Sequence, residues 1–325
     1  MTDLTVIILT KDEEKHIARA IKSALNVTNS IKVIDSGSTD STIEIAERLG
    51  AEVFYKEFES HSSQFNWALE QVPKSTKWIF RLDADEIISD SLASSINKLI
   101  ASAPPDIAGG IVSRQVVFLG KKIKWGGTFP IESTRLFRLN RGRAENRLMD
   151  EHLIVDGALV KLDGEITDHN LQPLSWWINK HNGYSSRESA EILLAEFQNA
   201  ALHAFRDNNA TTGNSQRLRK SIYRKLPHGH RAILYFLYRY IIRLGFLDGR
   251  EGVSFHLLQG FWYRYLVDTK VYEAKKLMKE DGVELVEAIR LSLGDDIANL
   301  AYKRDPITAR KRFLPQEPQT NRSPH

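Results

Sequence analysis

The sequence predicts an α/β fold that begins with a doubly wound, mostly parallel sheet. Over the first part of the chain, short apolar runs rich in β-branched residues alternate with helical patterns, so that a new strand starts roughly every 20–25 residues. One run, at 78–82, is aromatic and apolar and ends abruptly in carboxylates, which is typical of a buried strand that brings side chains to a ligand. With 325 residues, 42% of them hydrophobic, the chain can form one large domain or two ordinary ones.

Local signals place the first four strands and the helices between them. Apolar runs predict strands at 4–10, 31–35, 51–55 and 78–82, and helical spacing of apolar residues predicts helices at 17–25, 43–49 and 61–69. We expect the acids among residues 11–14 to lie in the first turn of the first helix, where they would complement its dipole. Gly50 follows the second helix, as a C′ glycine should.

After Asp85 the pattern changes, and a mixed or antiparallel extension is predicted. A helix is expected at 91–101, strands at 110–119, 133–139, 151–155 and 159–162, and a long helix at 174–205. Asp156-Gly157 stands between two of the apolar runs and indicates a hairpin.

Composition divides the chain into four predicted segments. Residues 1–205 form the α/β domain, and the polar, small residues that follow make 206–221 a linker. Residues 222–300 form a basic, aromatic helical module. The tail at 301–325 is interrupted by prolines and poor in apolar residues, so we expect it to be disordered.

Composition also excludes several classes of protein and site. The chain has no cysteine, which excludes a disulfide scaffold, thiolate zinc sites and a cysteine nucleophile. The first residues lead directly into a strand, so no secretory leader is expected, and without a run of about 18 uncharged apolar residues no clean transmembrane helix is expected. The net charge is only +4, but residues 211–247 hold eight Lys or Arg and no acid, which indicates an anionic partner.

The carboxylates of Asp83 and Asp85 are the strongest chemical signal. They are separated by one small residue at the end of a buried strand, so they can converge on one divalent cation. Hard oxygen ligands suit Mg²⁺ or Mn²⁺, which usually keep several waters and share their other positions with substrate phosphates. The alternative is a solvated turn in which an Asp caps the next helix.

Three stretches in fixed order carry a resemblance to a known family. Residues 5–14, 33–40 and 82–86 resemble the corresponding motifs of family 2 glycosyltransferases. The resemblance covers about residues 1–200 and is closer to lipopolysaccharide-core glucosyltransferases and related surface-polysaccharide enzymes. It implies the GT-A fold, a nucleotide-sugar donor, a divalent metal ion and inversion at the anomeric carbon.

The same resemblance assigns residues to a nucleotide pocket and a metal ion. The nucleotide-binding residues that it implies are Thr10, Glu14, Asp35, Gln64, Asn66 and Asp83. The metal ligands that it implies are Asp83, Asp85 and His169, and the metal is Mn²⁺ or Mg²⁺. The family more often has a second Asp where Ser36 stands, so the chain departs from the family pattern at one ribose contact.

An inverting transfer needs one general base to take the proton of the acceptor hydroxyl. By resemblance, Glu151 aligns best as this base, and Asp150 is the alternative. His152 and Arg147 stand beside them and are candidates to orient the base or the phosphates. Trp125 is a candidate to stack on a sugar face, although Trp residues in loops are often only packed.

Residues 222–276 are interpreted as a monotopic membrane-association module. The run at 232–244 is apolar nearly all round, with Arg231, Arg239 and Arg243 on one narrow stripe, so we expect these arginines to reach lipid phosphates. The alternative is a helical hairpin buried against the catalytic domain or a partner chain. Nucleic acid fits less well as a partner, because the basic residues are interleaved with bulky aliphatic ones.

The leading hypothesis is therefore a glycosyltransferase that moves a sugar from a nucleotide-sugar, with UDP-sugar favoured, to a membrane-anchored glycan or lipid-linked acceptor. The expected location is the cytoplasmic face of the inner membrane, as a peripheral protein. A sugar nucleotidyltransferase is disfavoured because no glycine-rich phosphate loop follows the first strand. A non-catalytic nucleotide-sugar-binding or scaffold protein is the remaining alternative.

Overall fold

The computed structural model describes residues 3–145, 152–198 and 229–311. Eleven strands lie within these residues. They are β1 (Leu4–Thr10), β2 (Ile31–Asp35), β3 (Glu52–Tyr55), β4 (Trp78–Asp83), β5 (Glu86–Ile88), β6 (Ile107–Phe118), β7 (Lys121–Lys122), β8 (Ile131–Arg138), β9 (Gly142–Ala144), β10 (Leu153–Val155) and β11 (Ala158–His169).

Helices alternate with the first strands and then dominate the C-terminal part of the described chain. The α-helices are α1 (Ile17–Ala24), α2 (Thr42–Arg48), α3 (His61–Glu70), α4 (Asp90–Ser102), α5 (Leu174–Phe197), α6 (His230–Leu237), α7 (Gly249–Phe255), α8 (Tyr263–Glu280), α9 (Leu285–Leu293), α10 (Asp295–Arg304) and α11 (Pro306–Ala309). Residues Tyr238–Ile242 and His256–Trp262 form π-helical segments, and Gly245–Asp248 form a 3₁₀ turn. No described helix meets the length and hydropathy expected of a bilayer-spanning segment.

The predicted strands and helices of the first half are confirmed. The main sheet has the strand order β3-β2-β1-β4-β8-β6-β11-β5. The first four strands in this order are parallel, and Thr10 of β1 lies opposite Asp35 of β2, while Leu9 lies opposite Asp83 of β4. Beyond β4 the sheet is mixed, because β8 runs antiparallel to both neighbours while β11 is parallel to β6. The mixed extension was predicted from the sequence.

Helices cover both faces of this sheet, which confirms the doubly wound arrangement. On one face Val6 and Ile8 of β1 belong to a core that also holds buried residues of α1, α2 and α4. On the other face Ile7 of β1 packs in a second core with Phe65 and Ala68 of α3. Successive side chains of β1 thus point to opposite faces and are all buried, as in strands of a parallel sheet covered on both sides.

The hairpin expected at Asp156-Gly157 is wrong. Strand β10 pairs with β9, and β11 pairs with β6 and β5, so the two runs beside Asp156 are not partners. The reason is tertiary: Gly157, at φ +128°, lies so close to Ala108 of β6 that an added Cβ would come within 2.6 Å of its methyl group. A hairpin does form at the other end of β6, where β6 pairs with β7 through a turn at Leu119 and Gly120, both at positive φ.

The acids at 11–14 do not occupy the first turn of α1, which corrects the expectation from the sequence. The helix begins at Ile17, and its first turn holds no acid. Residues 11–14 form a loop instead, and this loop bonds the β2–α2 loop reciprocally. Glu13 N donates to Thr42 Oγ1 at 2.7 Å, and Glu14 N donates to Asp40 Oδ2 at 3.1 Å. Because side-chain oxygens already accept these backbone N–H groups, such bonds compete with the helical hydrogen bonds that would let α1 begin earlier.

The chain divides into two compact units that are each discontinuous in sequence. The first holds residues 1–180 and 232–262, and the second holds 181–231 and 263–325. The boundaries predicted at 205/206 and 221/222 lie outside the described residues and stay predictions.

The disordered tail predicted at 301–325 begins too early. Helices α10 and α11 occupy residues up to Ala309, and Ala301 and Ala309 are fully buried. Asp305 caps α11 by accepting the Thr308 N–H at 3.0 Å, and Pro306 suits the first helical position. Sequence composition underestimated this part of the chain because its buried residues, Ala301, Thr308 and Ala309, are all small.

Candidate active site

The candidate site lies where β1, β2 and β4 end side by side. Their register places Thr10, Asp35 and Asp83 at the carboxyl ends of three adjacent parallel strands. Strand β11 ends at His169 and pairs with β5, so that Asp168 lies opposite Glu86 just beyond Asp85. Ligands of open α/β sheets bind at such carboxyl ends.

Asp83 is held by two arginines and by the turn that follows it. Arg135 of β8 approaches Asp83 Oδ2 at 3.4 Å and donates to Glu86 Oε1 at 2.6 Å, while Glu86 Oε2 accepts the Asp83 N–H at 2.9 Å. Arg81 Nε lies 3.6 Å from Asp83 Oδ1. Burial alone would raise the pKa of Asp83, but Arg135 and then Arg81 outweigh it and hold that pKa well below its usual range. Asp83 is therefore ionised.

Asp85 faces a second set of partners. Its Oδ2 accepts a hydrogen bond from Asn170 Nδ2 at 3.1 Å, and its backbone oxygen accepts the His169 N–H at 3.1 Å. Burial and then the charge of Asp85 raise the pKa of Asp168 to about 7, against the opposing effect of Arg114. A cation between these acids would reduce the electrostatic repulsion between their carboxylates. The oxygen ligands of Asp83 and Asp85 therefore fit a hard divalent ion.

His169 lies beside Arg19 at the end of β11. Arg19 Nη2 donates to His169 O at 2.8 Å, and Arg19 Nη1 is 3.4 Å from His169 Nδ1. Burial, followed by Arg19 and His16, lowers the pKa of His169, so the ring is neutral at pH 7 and has a lone pair to offer. Within the residues that the structure describes, no three His, Asp or Glu side chains form a metal-holding group, so metal binding by Asp83, Asp85 and His169 stays a prediction.

Thr10 and Asp35 line the strand ends next to Asp83. Thr10 is 5% exposed, and its hydroxyl has no hydrogen-bond partner in the structure. A buried hydroxyl without a partner is costly and is a natural contact for a ligand. Asp35 is also buried, and its Oδ2 accepts the N–H groups of Gly37 at 2.7 Å and Ser38 at 2.8 Å. This turn fixes the strand end, and ligand contact by Asp35 stays a prediction.

The remaining residues assigned to the nucleotide have partners within the protein. Glu14 Oε2 accepts the Ser41 N–H at 3.4 Å and so joins the two facing loops. Gln64 is buried and donates to Ile34 O at 3.1 Å. Asn66 bonds the backbone of Ala144 twice, at 2.8 and 3.1 Å. These contacts give each residue a structural function, and their contact with a nucleotide stays a prediction.

The general-base candidates Glu151 and Asp150, together with Arg147, lie outside the described residues. The residues on either side of them are described, and Glu145 N donates to His152 O at 2.8 Å. The choice between Glu151 and Asp150 thus stays a prediction.

Sequence reasoning missed Arg135, Glu86 and Asp168. Glu86 directly follows the Asp83/Asp85 pair, which was a usable signal. Arg135 and Asp168 come from β8 and β11, about 50 and 80 residues away in the sequence, and only strand pairing brings them to the site. A charged residue within an apolar strand run was the available hint, since such residues are rarely buried unless they are paired.

Comparison with known proteins supports the chemistry of this domain. Residues 5–156 match the family model described as Glycosyl transferase family 2. The chain is 25% identical over 292 residues to the lipopolysaccharide core biosynthesis glycosyltransferase LpsC of Rhizobium meliloti. The aligned residues are 86% of this chain and 96% of that protein. An uncharacterized glycosyltransferase of Rickettsia typhi is 28% identical over 206 residues, which are 59% of this chain and 69% of that protein.

Two solved structures are similar at lower identity. A mannosyltransferase from Pyrobaculum calidifontis in complex with GDP-Man and Mn²⁺ is 15% identical, covers 83% of this chain and 87% of its own, and has a TM-score of 0.48. Glucosyl-3-phosphoglycerate synthase from Mycobacterium tuberculosis is 19% identical with a TM-score of 0.30, and the comparison covers 35% of this chain and 44% of that chain. The chain thus spans less than half of the synthase.

The matched family region contains Thr10, Asp35, Asp83 and Asp85, the strand-end residues that define the site. The relatives from Rhizobium meliloti and Rickettsia typhi are both named glycosyltransferases. Residues 5–156 therefore form a domain of the family 2 glycosyltransferases, and the chain is a glycosyltransferase.

Proposed function

We propose that this protein is an inverting, metal-dependent glycosyltransferase that uses a UDP-sugar donor. The acceptor is a membrane-anchored glycan or lipid-linked saccharide of lipopolysaccharide or surface-polysaccharide synthesis. The protein acts as a peripheral protein at the cytoplasmic face of the inner membrane. The observation that carries the proposal is the convergence of Asp83, Asp85 and Asp168 at strand ends beside the unpartnered Thr10 hydroxyl.

The donor end of the site follows from the strand ends. Thr10 offers a buried hydroxyl to the nucleotide, and Asp35 offers the remaining lone pairs of a carboxylate fixed by its turn. Asp83 and Asp85 would hold the divalent ion, with His169 as the third candidate. When bound, that ion neutralises charge on the departing diphosphate.

The chain's own groups prepare this site before the donor arrives. Arg135 keeps Asp83 ionised and also donates to Glu86, which accepts the backbone N–H of Asp83. Asn170 orients the Asp85 carboxylate, and Arg19 adds positive charge next to His169, where a diphosphate would benefit from it. Glu151, or alternatively Asp150, takes the proton of the attacking hydroxyl.

The acceptor class rests on the similarity to LpsC. That relative is named for lipopolysaccharide core biosynthesis, and the similarity extends over most of both chains. A lipopolysaccharide core is attached to a lipid, which agrees with the apolar and basic character of the C-terminal part of this chain.

A donor panel tests the proposal. The protein is incubated with Mn²⁺ or Mg²⁺, a lipid-linked core acceptor and several nucleotide-sugars, and the release of nucleoside diphosphate is measured. We expect release from one UDP-sugar that chelation abolishes. Asp85→Asn should lower the rate by at least about a hundredfold, since it removes charge at the reacting phosphate. The matched control is Asp163→Asn, an exposed acid in β11, which should leave the rate unchanged.

The base assignment is tested in the same assay. Glu151→Ala should lower the rate of transfer by roughly a hundredfold or more without changing the affinity for UDP, because a general base acts on the acceptor proton. If Glu151→Ala retains activity and Asp150→Ala loses it, the base is Asp150. Undiminished release in Asp85→Asn, or release that chelation does not affect, would contradict the metal-dependent mechanism.

A further inference from the structure

The C-terminal part of the first unit exposes many large apolar side chains within one short stretch of chain. Its residues, which we name the docking face, are Ile233, Leu234, Leu237, Ile241, Ile242, Leu244, Phe246 and Leu247, each at least 40% exposed. Ile242 reaches 68% exposure. Residues 233, 237 and 241 are spaced by four along the helical segment, so they share one side of it. Contiguous apolar surface of this kind marks an interaction site, whereas single exposed apolar residues are ordinary.

The opposite side of the same segment is fixed to the rest of the unit. Arg239 is 8% exposed and donates to Gly126 O at 3.0 Å and to Thr128 Oγ1 at 2.6 Å. Asp248 is buried and accepts the N–H groups of Lys124 at 3.0 Å and Trp125 at 2.9 Å. The expectation that Arg239 reaches lipid phosphates is thus wrong, because this side chain points into the protein. The docking face is what remains outside.

The inner contacts also hold one loop firmly. The loop at 124–128 donates two backbone N–H groups to Asp248 and accepts two hydrogen bonds from Arg239. Gly126 N also donates to Arg243 O at 2.8 Å. His256 is fully buried against this loop, and an added Cβ at Gly126 would lie 2.1 Å from its ring. Burial lowers the pKa of His256 to about 4, so the ring is neutral. The docking face therefore belongs to a rigid element.

The rim of the docking face is positively charged. Lys124, Arg243 and Arg250 are exposed around it. Of the two acids between 232 and 262, Asp248 is buried, and Glu251 lies 3.5 Å from Lys121. Trp125, at 43% exposure, adds an aromatic ring at the same rim, and Phe246 of the docking face is 44% exposed. A surface with an aliphatic centre, an aromatic border and a cationic rim is typical of proteins that lie in a bilayer interface.

We propose that the docking face binds an anionic lipid bilayer, with Ile241, Ile242 and Leu247 in the apolar layer and Arg243 and Arg250 on lipid phosphates. A second copy of the chain fits less well, because a two-fold contact would bring each cationic rim against its copy. The inference deepens the proposed function, since a membrane-anchored acceptor would then reach a protein already oriented on its membrane. It assigns membrane contact to the side of the segment opposite Arg239.

Vesicle flotation tests this proposal without reference to catalysis. The full chain is mixed with vesicles of phosphatidylcholine containing 30% phosphatidylglycerol (a composition of roughly physiological charge), and the bound fraction is measured. We expect binding that Ile241→Glu/Ile242→Glu weakens at least tenfold. The matched control is Leu291→Glu/Ile307→Glu, which places the same charges at positions 60% and 80% exposed in the second unit and should bind like the unchanged protein.

A second set of variants distinguishes binding to lipid phosphates from binding by apolar contact alone. Arg243→Gln/Arg250→Gln should weaken binding by about fivefold for each charge removed and reduce its dependence on salt. Pure phosphatidylcholine vesicles should bind the unchanged protein less than the anionic ones. Nucleotide release with a water-soluble acceptor glycan should be the same in all these variants, so that a failed donor panel and a failed docking face give different results.

Three outcomes would overturn the proposal. The first is no flotation of the unchanged protein with anionic vesicles. The second is equal loss in the Leu291→Glu/Ile307→Glu control, which would mean that added charge, and not its position, weakens binding. The third is a concentration-dependent dimer in sedimentation that Ile241→Glu/Ile242→Glu abolishes, which would make a second copy the occupant of the face.

Discussion

At the scale of single residues, the ionisation of Asp83 depends on a cation that the sequence places far away. Arg135 touches both Asp83 and Glu86, and all three polar groups are withdrawn from solvent to differing degrees. Removing one member of a buried charged set leaves the others unpaired in a medium that solvates them poorly. Arg135 therefore serves the site and the stability of the fold together.

Arg135→Met should lower the free energy of unfolding by about 3–5 kcal/mol, because it leaves the Asp83 carboxylate without its cation and removes the buried hydrogen bond to Glu86. Urea unfolding followed by tryptophan fluorescence measures it. Lys161→Met is the matched control: its bond to Glu132 has the same 2.6 Å length as the Arg135–Glu86 bond, but both of its side chains are exposed. The control should cost less than about 1 kcal/mol. Equal losses in the two variants would refute the argument.

At the scale of elements, contacts between distant backbone segments set the extent of a strand that local propensity did not predict. Strand β11 continues to His169, although only its first apolar residues had been predicted as a strand, because β6 pairs with it on both sides of an irregularity between Lys161 and Glu165. Gly164 lies in this irregularity at φ +91°, with Leu92 of α4 directly above it. The glycine lets the strand resume after the bulge and carry Asp168 and His169 to the site.

Gly164→Ala should therefore destabilise the protein by roughly 2 kcal/mol more than a glycine replaced at the same kind of φ in open space. The added Cβ would lie 2.3 Å from Leu92 N, which is backbone and cannot move aside easily. Gly120→Ala is that comparison, since Gly120 has φ +80° and no atom within 4 Å of the added Cβ. Thermal unfolding of both variants measures the difference. Similar midpoints would show that the contact with Leu92 relaxes.

At the scale of the whole molecule, ligand binding and folding are linked at the acidic site. A ligand that binds only the folded state stabilises it by about 2.7 kcal/mol at a hundred times its dissociation constant. Burial and Asp85 raise the pKa of Asp168 from 3.8 to about 7, so its contribution to stability is present at low pH and is lost as pH rises through about 7. A cation at Asp85 would offset that loss.

Mn²⁺ with UDP should consequently raise the unfolding temperature more at pH 8 than at pH 6, and EDTA should reverse the effect. Protons compete with the metal ion for the acidic cluster at the lower pH, which gives the expected sign. Scanning calorimetry at both pH values measures the shifts. Asp85→Asn should lose the metal effect and Asp163→Asn should keep it. A shift that is equal in Asp85→Asn would place the metal ion elsewhere.

Features that are local in the chain could be predicted from the amino-acid sequence alone. Alternating strands and helices, the Asp83/Asp85 pair and the family resemblance are all contained in short stretches. The fold and the family match confirm the first and the last, and Asp83 lies at a strand end as expected, while metal binding by the pair stays a prediction. Periodicity is a property of neighbouring residues, so it can be recognised without knowing what an element packs against. Roles assigned to Glu14, Gln64 and Asn66 went beyond that information, and they stay predictions.

Which distant residues meet, and which way a side chain points, depends on strand pairing and packing in the folded chain. Strand pairing brought Arg135 and Asp168 to the site, β9 rather than β11 became the partner of β10, and Arg239 turned inward to the loop at 124–128. An amphipathic stripe shows that two faces differ, but not which one is covered. That choice depends on hydrogen-bond acceptors such as Gly126 O, which come from another part of the chain.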